Sequence, residues 1–252
     1  MQRFARETQL SETSFVQSPG APGADYRHRI FTVAEELPFA GHPSLGTAVA
    51  CAQVAGETSV TYVQETRVGL QPIDVELAGA TARASMLQEP PQFGAAVEPG
   101  PVLAALGLAP ADAHPELPVQ PVSTGIFHLM VPVRDAAALA RARPVAADGV
   151  AAIAAQTASV VLYAFAVQGG DGGAAQARGF FAAGERVVED PATGSAAGPL
   201  VAYLDRHAGV RAVTIAQGVE LGRPSRLDAE IAADRVRVSG DCVIVLEGEL
   251  RL

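Results

Sequence analysis

"RIFTVAEELPFAGHPSLGTA" (Arg29 to Ala48) is matched later in the chain by "RGFFAAGERVVEDPATGSA" (Arg178 to Ala196). Both begin Arg-x-Phe, both pass a glutamate-containing turn region, and both reach a polar residue followed by Pro-x-x-Gly-(Thr/Ser)-Ala. The arginine-to-polar spacing is 13 residues in the first copy and 12 in the second. His42 therefore corresponds to Asp190, Pro43 to Pro191, Gly46 to Gly194, Thr47 to Ser195 and Ala48 to Ala196. A pattern that recurs in order and in spacing predicts a duplicated lobe.

The surrounding segments fit that duplication. In the second half, residues 119–133 read as two strands around a glycine turn, 148–156 as a helix and 158–167 as a strand. A strand at 178–182 leads to the motif, and 196–207 is an amphipathic helix despite a proline near its start. Strands are expected at 213–217, 236–238 and 243–246. In the first half, "MQRFARET" takes the place of the helix and 14–17 that of the strand after it. A strand at 27–33 precedes the motif, a helix at 44–54 follows it, and strands are expected at 59–64, 67–77 and 81–87. The proline-rich stretch 89–121, with one short helix at 102–106, reads as the connection between lobes. This divides the chain into an N-terminal lobe, 1–110, and a C-terminal lobe, 111–252. The first lobe has no counterpart to the strand pair at 119–133, so it is expected to be incomplete at its start, with an open sheet edge. A form extended upstream of Met1 is expected to be more stable or more soluble.

Composition narrows the chemistry. Of 252 residues 49% are apolar and the mean hydropathy is +0.22, as for a packed globular chain. The net charge of −9 and pI near 5.0 argue against nucleic acid as a partner. No apolar run reaches the roughly 20 residues that span a bilayer, and the N-terminus lacks the apolar stretch of a signal peptide. Cys51 and Cys242 lie in apolar contexts without metal-ligand spacing and read as two buried thiols of a cytoplasmic protein. The chain has no lysine; all 18 basic residues are arginine, which removes pyridoxal Schiff-base chemistry and the phosphate-binding P-loop. The five histidines, at 28, 42, 114, 128 and 207, are scattered without an i, i+4 pair. The expected chemistry uses neither metal nor organic cofactor.

Each motif puts small residues at a turn that opens a helix. Small residues let a ligand approach the backbone, and the free N–H groups and dipole of a helix start favour an anion. Thr47 and Ser195 add hydroxyls that can also cap the helix. Two such starts facing one another would suit a small carboxylate, with His42 and Asp190 as polar tips. Arg29 and Arg178, at matched positions, read as structural partners of carboxylates. His128, on an apolar strand, reads as a core histidine with a hydrogen-bond partner.

Taken together, "SETSFV", "RIFTVAEELPFAGHPSLGTA", "EDPATGSAAGPL" and "QGVELGRPSRL" resemble the phenazine-biosynthesis PhzF-like family, over residues 3–252. The resemblance implies an α+β protein with the fold of the diaminopimelate epimerases. Such a fold has two pseudo-symmetric lobes, each a curved, mostly antiparallel sheet around a central helix, with the active site between them. The epimerases carry cysteines at the sites held here by His42 and Asp190, so two-thiol proton exchange is not available. The implied activity is cofactor-independent proton-transfer isomerisation of a small carboxylic or amino acid. The family's acid/base glutamate matches Glu12 in "LSETSFV". His42, Asp190 and Ser195 match residues around the substrate, and Gly41 and Gly194 lend backbone. Gly46 and Thr47 join the substrate-binding set through the repeat. Taken alone, Glu12 reads as a surface or capping carboxylate; between Leu10 and Phe15–Val16, an enclosed site could raise its pKa. The resemblance also implies a homodimer. A non-catalytic or vestigial carboxylate-binding protein of the same fold is the alternative.

Overall fold

The computed structural model describes residues 1–79, 81–168 and 173–249. The chain forms two compact units: Met1–Leu87 with Ser239–Leu252, and Gln88–Val238. Each is a mixed α+β unit built on one sheet.

The first unit opens with α1 (Gln2–Thr8), β1 (Thr13–Gln17), β2 (Tyr26–Phe31) and β3 (Glu36–Leu37). Then come α2 (Gly41–Ala55), β4 (Ser59–Thr66), β5 (Gly69–Ala78) and β6 (Thr81–Gln88). β2 pairs antiparallel with β1 and β3, and parallel with β4; β5 joins β4 and β6 antiparallel. The parallel pair exists because α2 is the crossover between β3 and β4. Leu45, Ala48, Val49 and Ala52, at helical spacing, seat α2 on Ile73, Val75, Ala84 and Met86. Gly56, at φ 73°, ends the helix in the left-handed conformation. A T-shaped ladder of Phe4, Phe15 and Phe31 holds α1 against the sheet.

The second unit runs β7 (Gln92–Phe93), α3 (Pro99–Ala105), β8 (Gln120–Ser123), β9 (Phe127–Pro132), α4 (Ala136–Arg141) and α5 (Ala147–Gln156). It continues with β10 (Leu162–Gln168), β11 (Ala174–Ala183), β12 (Arg186–Asp190), α6 (Gly194–Ala208), β13 (Ala212–Gln217) and β14 (Ser225–Ala232). From there β15 (Arg235–Cys242) leads back into the first unit's residues. β11 pairs antiparallel with β10 and β12, and parallel with β13, as β2 does with β1, β3 and β4. The duplication is thus a property of strand order and direction as well as of sequence. β10 also pairs parallel with β9, and β9 antiparallel with β8; no strand among the described residues takes those places beside β1. One face of the sheet is covered by α6, whose Ala197, Leu200, Val201 and Leu204 are fully buried. The other is covered by α3, α4 and α5 through Leu103, Leu139 and Val150.

Several elements differ from the sequence reading. The compact units part at 87 and 88 rather than at 110. The proline-rich stretch packs onto the second sheet: Gly94 N–H donates to Pro121 O at 2.8 Å and Val97 N–H to Val119 O at 2.9 Å. Leu103, Leu106 and Leu108 complete that attachment in the core. The strand expected at 243–246 is irregular, with Val245 91% and Leu246 88% exposed. Its composition favours a strand, but a strand needs a paired neighbour. β14 lies in a stretch for which the sequence suggested no strand; Leu227, Ala229 and Ile231 alternate inward along it. Cys51 and Cys242 are free thiols and only partly buried. The expected match to residue 252 ends at 250–252, outside the described residues.

Candidate active site

In both copies the Arg-x-Phe segment sets up the motif in the same way. Arg29 grips Glu36 through two hydrogen bonds of 2.8 Å, and Arg178 grips Glu189 through bonds of 2.8 and 2.7 Å. Each guanidinium also lies over the ring two residues on: Phe31 at 5.2 Å and Phe180 at 4.9 Å. These arginines are the structural partners the sequence suggested. They clamp the hairpin that delivers the chain to His42 or to Asp190.

The two helices start differently. α6 begins at Gly194, as the motif predicts. α2 begins five residues before Gly46, at Gly41, so Gly46 and Thr47 lie in its second turn and the Pro-x-x-Gly turn does not open it. The free N–H groups of that start belong to Gly41 and His42, since Pro43 has none. No side chain caps either start, so the capping role expected of Thr47 and Ser195 is not seen. Thr47 is buried, and its hydroxyl donates to His28 Nε2 at 3.2 Å. Ser195 is partly buried in the first turn of α6, and Gly194 is buried.

Glu12 sits immediately before β1, and His42 is the second residue of α2. The fold brings them together: His42 Nε2 is 3.1 Å from Glu12 Oε2. Apart from this contact, Oε2 is buried without a hydrogen-bond partner. The Glu12 side chain is 20% exposed and that of His42 48%, so the pair faces outward from a partly sheltered position. Burial is the largest influence on Glu12 and pushes its pKa up. His42, by hydrogen bonding and charge, and Ser11 together outweigh it and hold the pKa below the ordinary carboxylate value. The sequence suggested a raised pKa; the neighbouring imidazole reverses the sign.

Behind this pair lies a buried polar network that the sequence reading missed. His28 is 3% exposed; its Nδ1 donates to Gln64 Oε1 at 2.8 Å, while Nε2 accepts from Ser14 at 2.9 Å and from Thr47. Gln64 Nε2 donates to Ser44 Oγ and to Gln71 Oε1, which fixes its amide orientation and hence the imidazole tautomer. Burial lowers the His28 pKa against the bond to Gln64, in keeping with a neutral ring. The network ties β1, which follows Glu12, to α2, which carries His42. In the second unit Asp190 ends β12, with Thr193 Oγ1 donating to its Oδ2 at 2.9 Å and Ala192 N–H to its Oδ1 at 3.2 Å. Gly218, at φ 76°, brings the turn after β13 so close to Pro191 O and Arg223 O that any side chain there would collide. Among the described residues no cluster of three or more His, Cys, Asp or Glu could hold a metal ion.

The chain matches the family model of phenazine biosynthesis-like proteins, PhzC–PhzF, over residues 1–248. It belongs to that family, and it is a PhzF-like isomerase. It is 40% identical over 262 aligned residues to the trans-2,3-dihydro-3-hydroxyanthranilate isomerase of Pseudomonas aeruginosa, covering 100% of this chain and 88% of that protein. Among solved structures, a predicted epimerase of P. aeruginosa superposes with TM-score 0.82 at 33% identity, over 98% of this chain and 88% of the other. A hydroxyproline epimerase of Agrobacterium vitis shares the fold at TM-score 0.61 and 13% identity, over 92% and 72%. This family member builds each unit on a β-α-β repeat that carries one of the twin motifs. No helix among its described residues is long and apolar enough to cross a membrane.

Proposed function

We propose that this PhzF-like isomerase moves a proton on a small carboxylic or amino acid without a cofactor, with Glu12 as the acid/base. The observation that carries the reading is the Glu12–His42 pair: a sheltered carboxylate oxygen, 3.1 Å from an imidazole and otherwise unpartnered. A pKa held below the ordinary value keeps Glu12 ionised near neutrality, ready to accept a proton. Glu12 then takes a proton from one carbon of a bound unsaturated acid and returns it to another. One C–H bond breaks and another forms, the double bond shifts, and no redox partner is needed. His42 steadies the carboxylate. The open N–H groups of α6 at Gly194 and Ser195, and of α2 at Gly41, hold the substrate carboxylate; Gly46 and Thr47 support the α2 start. Asp190 serves as the second unit's polar tip, orienting a polar group of the substrate such as its amine. A homodimer follows from the family resemblance, and a cytoplasmic setting from the two free thiols.

The relative's substrate is the first to test. Trans-2,3-dihydro-3-hydroxyanthranilate, incubated with the protein in D2O, is expected to isomerise and to take up deuterium at carbon. Glu12→Gln is expected to abolish both while substrate binding survives. Near-wild-type exchange by that variant sinks the assignment. Binding without exchange by the wild-type protein would favour the vestigial carboxylate-binding alternative.

A further inference from the structure

Gln217 is fully buried at the end of β13, and all four hydrogen-bonding positions of its amide are occupied. Its Oε1 accepts from Tyr163 O–H at 2.9 Å and from Thr193 N–H at 3.1 Å. Its Nε2 donates to Asp190 O at 2.7 Å and to Thr193 Oγ1 at 2.9 Å. The backbone partners have fixed roles: Thr193 N–H can only donate and Asp190 C=O can only accept. A flipped amide would therefore face donor with donor and acceptor with acceptor. With Nε2–H pointed at its oxygen, the Thr193 hydroxyl has one proton to give, and Asp190 Oδ2, 2.9 Å away, receives it. Polarity thus runs one way, from Tyr163 through Gln217 and Thr193 to the Asp190 carboxylate. Gly179 belongs to the arrangement as well, because a Cβ there would lie 2.7 Å from Thr193 Oγ1.

The first unit has a counterpart. Gln64 lies nine residues after the end of α2 at Ala55, and Gln217 nine after the end of α6 at Ala208. Both are fully buried, and both grip the chain entering their helix: Gln64 through Ser44, Gln217 through Thr193. Two buried glutamines at the same distance after their helices, each spending its amide on the motif, exceed what packing requires; a buried amide is costly unless fully satisfied.

We propose that Gln217 is a positioning residue for the isomerase reaction, which with Thr193 fixes the orientation of the Asp190 carboxylate. This rests on the placement of Asp190 in the reaction proposed above. The test is a double-mutant cycle with trans-2,3-dihydro-3-hydroxyanthranilate as probe, on full-length variants whose melting confirms folding. Thr193→Val, which keeps shape and removes the hydroxyl, is expected to lower kcat about tenfold or more with little change in KM. Thr193→Ser restores turnover, and Gln217→Leu reproduces the loss. Thr193→Val/Asp190→Asn is no slower than Asp190→Asn alone, because the hydroxyl acts only through that carboxylate. Wild-type turnover by Thr193→Val, or additive losses in the double variant, overturn the inference while Asp190 keeps its role. Wild-type turnover by Asp190→Asn overturns the role of Asp190 and the inference with it. The Thr193 pair of variants decides the matter even if Gln217→Leu fails to fold.

Discussion

At the residue scale the deciding pair is Glu12 and His42. Burial alone would raise the Glu12 pKa, and the imidazole 3.1 Å away, together with Ser11, lowers it by more. Removing the imidazole leaves burial opposed only by the bond from Ser11. His42→Gln is therefore expected to move the acidic limb of the kcat/KM profile toward higher pH, since the free-enzyme carboxylate then protonates earlier. An unmoved limb would mean that another group sets it. Sequence made Glu12 a candidate only through its family motif: a lone glutamate after a serine carries no signal of burial. Its meeting with His42, thirty residues away, was not legible at all, because an ion pair between a strand entry and a helix start leaves no spacing rule.

At the scale of elements, the two arginine clamps look alike in sequence and differ in burial. The Arg178 side chain is 3% exposed and also donates to Leu139 O and Ala142 O, binding the β11–β12 hairpin to the end of α4. The Arg29 side chain is 30% exposed. Breaking a buried pair strands a carboxylate, at a cost of about 3–5 kcal/mol, whereas an exposed pair contributes roughly 0–1 kcal/mol. Arg178→Met is thus expected to lower the urea midpoint strongly and Arg29→Met only slightly. Equal shifts would show that burial does not set the cost. α6 itself was legible through its apolar face and its motif. That α2 starts at Gly41 instead was not, because the two motifs are nearly the same over the residues that would mark a start.

At the scale of the whole molecule, stability toward acid depends on groups buried in a neutral form. His128, on β9, is 1% exposed, and neither ring nitrogen has a hydrogen-bond partner, against the sequence expectation of one. Burial lowers its pKa to about 4. Above the unfolded value near 6.5 it has no effect on stability. As the pH falls from there toward about 4 the unfolded chain binds a proton that the folded chain refuses, so stability drops by up to about 3 kcal/mol. Glu36, Glu65 and Asp112, whose pKa values are lowered, act at still lower pH. His128→Leu is therefore expected to flatten the fall in melting temperature between pH 6.5 and pH 4, as read by calorimetry. An unchanged slope would place the acid sensitivity elsewhere.

By itself the sequence determined the duplication, the α+β class, the order of most elements and the residues that head the twin motifs. Each of these depends on local periodicity or on a pattern repeated along the chain, and both survive in one dimension. Tertiary structure alone decided the partners. It set Glu12 beside His42, turned Thr47 to His28, gave the proline-rich stretch to the second unit, and left 243–246 unpaired. It also made Gln64 and Gln217 the clamps of their motifs. Hydrogen bonds and ion pairs between distant residues depend on burial and on angles of a few degrees, which no spacing in the chain encodes.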